Sequence, residues 1–72
     1  MTRTADLNSI RAEMARRGER QRDIAYALGI SQQAVSKHMT GDDEFTDEQL
    51  DLIADTLNVP VERITHQDRT IR

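Results

Sequence analysis

Seventy-two residues with a formal net charge of −3 describe one small domain, which buries only about 60% of its unfolded surface and depends on well-packed helices or a partner. No cysteine is present, which excludes a disulfide framework, a thiol nucleophile and a cysteine-ligated zinc site; one Phe, one Tyr and no Trp leave the core to aliphatic side chains. No apolar run approaches a membrane span, and Met1 to Asp6 lacks the apolar segment of a secretory signal, so the expected compartment is the cytoplasm.

The chain reads as all-α, with five helical segments and no strand. Leu7, Ile10 and Met14 mark a first helix over about residues 6–17, stopped by Gly18. Arg3 precedes it, in a terminus expected to be disordered rather than to serve as a minor-groove arm. In the second segment, about residues 21–28, Ile24 and Leu28 share a face, and Ala25 offers the smallest side chain where a neighbouring helix must cross closely. Gly29 follows, where a left-handed backbone ends a helix. Ser31 is a good N-cap for a third segment, about residues 31–39, whose Val35 and Met39 form the buried stripe before Gly41. Its other face carries Gln32, Gln33, Ser36, Lys37 and Thr40. A glutamine amide offers donor and acceptor together and can pair bidentately with adenine, while lysine reaches guanine acceptors or phosphate.

Beyond the loop at residues 41–45, Thr46 with Gln49 three residues later forms a capping box, flanked by Phe45 and Leu50 at staple spacing. Leu50, Ile53, Ala54 and Leu57 run at helical period to Asn58, a C-terminal cap. Pro60 suits the first position of a short fifth helix over residues 60–64. The tail, residues 65–72, is polar, with Ile71 its one aliphatic residue and His66 exposed. The whole is a single domain over residues 1–72 with an ordered core of about residues 6–64.

Net charge conceals a split. Residues 1–40 hold seven Arg or Lys against four acids, a net of +3, whereas residues 41–72 hold three against nine, a net of −6. Phosphate neutralisation depends on the field at the docking face, and the positive half holds the two central helices. The acidic half is expected to face away from nucleic acid.

These residues carry a resemblance. Residues 21–41, with Gln21, Ala25, Gly29 and Val35 at the motif's spacing, resemble the helix-turn-helix of the lambdoid phage repressor and Cro proteins, the XRE-type family. Arg17-Gly18 before the motif and Leu50, Ile53, Ala54 and Leu57 after it are similar to that family's first and fourth helices, so the likeness spans about residues 7–64. It implies a compact five-helix lambda-repressor-like domain whose third helix enters the major groove by its N-terminal end. Carried over position by position, Gln32, Gln33, Ser36 and Lys37 become the base readers, Gln21 a phosphate clamp, and Ser31 and Thr40 backbone contacts. Arg20 and Arg22 stand beside Gln21 and are the basic residues best placed to meet phosphate; Arg16 and Arg17 are either further contacts or a solvated basic face. The chain departs from the pattern at Glu19 and Arg20, where the family has an apolar residue and then Ser or Thr. The second helix is therefore less securely capped, although Glu19 suits its positive dipole end. His38 is a further departure, at a position the family fills with an aliphatic or small side chain. Its imidazole is expected to pack half-buried and edge-on, or else the helix is slightly rolled.

Asp42, Asp43 and Glu44 lack the alternating spacing of a calcium loop and read as a solvated acidic loop. No Ser, His and acid constellation points to catalysis, and neither cofactor nor metal is expected. The residues and the resemblance together give a sequence-specific DNA-binding transcriptional regulator of the phage Cro or minimal immunity-repressor type. One such module reads too few base pairs to select a genomic site, so a homodimer on two half-sites about 34 Å apart is expected. Val59, Val61, Ile64 and Ile71 form its candidate interface. Two alternatives stand beside this reading. One is the antitoxin of a toxin-antitoxin pair, its acidic half binding a basic toxin; the other is a protein-interaction module without DNA binding.

Overall fold

The computed structural model describes residues 3–67, in the order β1 (Arg3–Ala5), α1 (Leu7–Arg17), α2 (Gln21–Leu28), α3 (Gln32–Thr40), α4 (Asp47–Leu57), a 3₁₀ turn (Val61–Ile64) and β2 (Thr65–Gln67). Helices α1, α3 and α4 start at a residue whose side chain satisfies an orphan backbone N–H. Asp6 caps α1, its carboxylate accepting from the Ser9 backbone N–H at 3.1 Å and from the Ser9 hydroxyl at 2.8 Å. These bonds from Ser9 hold the Asp6 carboxyl below its usual range, the His66 imidazole at 3.4 Å adding to the effect. Thr46 and Gln49 form the full reciprocal box at the start of α4, with bonds of 3.1 and 2.9 Å. Asn58 ends that helix in the left-handed conformation at φ 59°, which asparagine tolerates better than most residues.

One core joins all these elements. Ile10 and Met14 of α1, Ile24 and Ala25 of α2, Val35 and Met39 of α3, Phe45, Leu50, Ile53, Ala54 and Leu57 of α4, and Ile64 are buried together. Ala5, Leu7, Leu28, Ile30, Val59 and Val61 pack partly buried against them.

The closing segment differs from the expected fifth α-helix. Val61–Ile64 is a single 3₁₀ turn, with the Arg63 N–H donating to the Pro60 carbonyl at 2.9 Å. Four residues cannot build an α-helical ladder when Thr65 must already be extended, at φ −135°. The expected absence of strands is also corrected. β1 and β2 pair antiparallel, Thr4 opposite His66 and Ala5 opposite Thr65, so the ordered chain runs beyond residues 6–64 at both ends. The backbone of Arg3, expected to be disordered, lies in this ribbon opposite Gln67. Three-residue strands far apart in sequence leave no alternating pattern to read; they form because the core brings the two segments together. An Asp6 N–H bond to the Ile64 carbonyl at 2.8 Å ties the ribbon to the turn.

Ile64, assigned above to a dimer surface, is fully buried in the core. Val59 and Val61 are half-buried against it, and Ile71 lies outside the described residues. A terminal turn rich in apolar residues serves here as the fourth wall of the core. Among the described residues the exposed large apolar side chains are Tyr26 at 91% and Leu52 at 45%.

Among the described residues Glu13 is the buried charge, at 5% exposure. Arg17 donates to it one helical turn on, and Arg16 and Arg63 stand at 3.7 and 3.8 Å. Arg63 thereby links the 3₁₀ turn to α1. Among the described residues no helix is long and apolar enough to cross a membrane.

Candidate nucleic-acid interface

The site is built on the α2–α3 pair. α2 starts without a side-chain hydroxyl, and the expected weakness at Arg20 is half made good. The Asp23 carboxylate accepts from the Arg20 backbone N–H at 2.8 Å, which is one arm of a capping box. Arginine carries no acceptor and leaves the other arm unmade. At the far end Gly29 takes φ 70°, its N–H bonding back into the last turn of α2, and the Ile30 N–H follows to the Ala25 carbonyl at 3.1 Å. This left-handed stop turns the chain, and Ser31 starts α3 by accepting from the Ala34 N–H at 3.0 Å. Ala25 is buried at the helix contact, as its size predicts.

α3 divides into two arcs at about 100° per residue. Val35 and Met39 are buried, and Ala34 and His38 half-buried beside them; Gln32, Gln33, Ser36, Lys37 and Thr40 fill the opposite arc and are exposed. The five polar residues thus share one contiguous surface. Among the described residues Gln32, Gln33, Ser36 and Lys37 make no side-chain hydrogen bond or ion pair, which leaves every donor and acceptor of that face available. Two of the backbone-contact candidates already have local partners. Ser31 uses its oxygen to cap α3 but keeps a hydroxyl hydrogen to donate. Thr40 donates to the Lys37 carbonyl at 2.9 Å, so its hydroxyl can only accept while that bond stands.

Gln21 is half-buried at the first position of α2, with Arg20 and Arg22 exposed on either side. Neither arginine pairs with a described carboxylate, in contrast to Arg16 and Arg17, whose guanidinium groups are shared with Glu13. The free positive charge of the motif therefore rests on Arg20, Arg22 and Lys37. The acidic loop Asp42–Asp43–Glu44 follows α3 directly and is exposed. It lies at the C-terminal end of α3, away from Gln32 and Gln33.

His38 corrects the expectation of edge-on packing. Its ring stacks on Phe45 with centroids 4.5 Å apart and planes 17° from parallel, while Nδ1 lies 3.2 Å from the Asp43 carbonyl. An aromatic face, rather than an aliphatic side chain, closes the end of α3 against the following loop. Sequence reasoning also missed Arg11, whose guanidinium donates to the Met39 carbonyl at the end of α3. No local pattern links residues 28 positions apart.

A helix-turn-helix family model matches residues 10–64. No curated protein and no solved structure matches the chain.

Proposed function

The chain belongs to the XRE-type helix-turn-helix family of DNA-binding transcription regulators, and we propose that it is a sequence-specific regulator of the Cro or minimal-repressor kind. In this reading α3 enters the major groove by its N-terminal end and two copies occupy a two-fold operator. The observation that carries it is the undivided polar arc of α3, in which two adjacent amides, a hydroxyl and a lysine stand exposed without partners among the described residues. Such groups lose little on docking, because no internal bond has to break before a base edge is met. Gln32 and Gln33 supply the bidentate amide contacts, Ser36 and Lys37 the next positions along the groove. Arg20, Gln21 and Arg22 hold the phosphate backbone at the start of α2, with Ser31 donating from the turn.

Selection of bound duplexes from a randomised pool tests the reading directly. An enriched inverted repeat with half-site centres one helical turn apart is the expected outcome. Gln33→Ala should then cost about 1–3 kcal/mol on the enriched duplex and little on the starting pool. Equal losses on both would reject base reading by Gln33, and an enriched single half-site without symmetry would reject the dimer.

A further inference from the structure

The last turn of α3 contains a backbone acceptor that local structure leaves over and a distant side chain meets. The Lys37 carbonyl accepts from the Thr40 hydroxyl at 2.9 Å and from the Asp42 N–H at 3.0 Å, and the His38 carbonyl from the Gly41 N–H at 3.2 Å. These are the bonds of a left-handed C-terminal stop, here at Gly41 with φ 90°. The next carbonyl, that of Met39, is met by the Arg11 guanidinium from α1. The Met39 side chain is itself buried in the core at 2% exposure. Helix α3 is thereby anchored at its C-terminal end by a cation placed on the negative end of its dipole, while the end that carries Gln32 and Gln33 is joined to α2 by the turn at Gly29.

We propose that Arg11 is a positioning residue that sets the angle at which α3 presents its reading face. The inference rests on the reading of α3 as the major-groove helix. Nine residues make a lever about 13 Å long, and bidentate base contacts tolerate misalignment of only about 10–20°. Releasing one end of the lever tilts the other. The groups that reach DNA are then all present and wrongly aimed, which reduces discrimination between sequences and leaves attraction to the phosphate backbone unchanged.

The competing role for an exposed arginine in the basic half is direct phosphate contact, and the two separate cleanly. Binding of the selection-enriched duplex and of the starting random pool is measured against salt for the wild type, Arg11→Ala, Arg11→Met and Arg11→Lys. Arg11→Met keeps the aliphatic stem for packing but cannot donate. Positioning requires that Arg11→Ala and Arg11→Met lose roughly tenfold of the preference for the enriched duplex while pool affinity stays within about twofold. The salt dependence stays unchanged, and Arg11→Lys recovers part of the preference through a single donor. Faster amide exchange confined to the last turn of α3 accompanies the loss. Equal loss on both DNAs with a salt slope reduced by about one unit makes Arg11 a phosphate ligand and overturns the proposal. So does lowered thermal stability with preference intact. A wild type that shows no preference refutes the major-groove reading itself, whereas preference retained in all three variants refutes only the role of Arg11.

Discussion

The α2–α3 pair and α4 follow one rule of construction, a buried apolar arc on each helix, and use their exposed arcs in opposite ways. α4 buries Leu50, Ile53, Ala54 and Leu57 and has the full capping box at its start, so it is the better-anchored element. Its outer surface and the loop before it carry carboxylates. α2 and α3 each bury two residues, Ile24 with Ala25 and Val35 with Met39. α2 begins with half a box, and this pair carries the unpaired cations and the amide face. The acidic, fully capped surface and the exposed amide and cationic surface are thus placed on different helices. The difference teaches that an overall negative charge is compatible with the DNA binding of this family when the acids are gathered on α4 and in the loop after α3, apart from the exposed cations of α2 and α3.

Substitutions can break or sharpen that contrast. The largest effect is expected at Ile64→Ala, because its side chain is fully buried where α1, α4 and the 3₁₀ turn meet. A loss of about 2–5 kcal/mol in urea unfolding approaches the whole stability of a small domain. A change below about 0.5 kcal/mol would mean that Ile64 is not part of the core. Thr46→Ala removes the cap of α4 and should cost about 1 kcal/mol while leaving DNA affinity intact once the protein is folded. Loss of DNA affinity in a folded Thr46→Ala protein would show that the two halves are not functionally separate. Arg22→Ala lies on the other side of the contrast. Stability should be unchanged within about 0.5 kcal/mol, and the slope of log affinity against log salt should fall by about one unit on every DNA; an unaltered slope removes Arg22 from the phosphate contacts.

The smallest effect concerns the closing ribbon and is read through pH. The Asp6 carboxyl is held below the ordinary aspartate value in the folded state by its bonds to Ser9, so the ionised form is the stabilising one. That contribution is fully present above the unfolded value and is lost as pH falls through the folded one. Asp6→Asn should therefore flatten the acid limb of the stability curve below about pH 4 and cost less than about 1 kcal/mol at neutrality. An acid limb that is unaltered in the variant would assign the loss of stability to other carboxylates.

The sequence by itself determined the four helices and their stops, because capping and periodicity act between residues three or four apart. Ser31, Thr46 and Asn58 each hold the cap they were read to hold, and the exposed polar face of α3 follows from the placement of Val35 and Met39. Tertiary structure decided what depends on residues distant in sequence. Ile64 went to the core because α1 and α4 leave a gap that the turn after Pro60 fills, and a local apolar count cannot distinguish that from a dimer patch. The β1–β2 ribbon, the Glu13 cluster reaching Arg63, the His38 stack on Phe45 and the Arg11 bond to Met39 have the same origin. Each joins groups whose contact has no local signature and exists only once the helices have packed, since backbone acceptors, ring faces and charges become neighbours only when the core sets the distance between them.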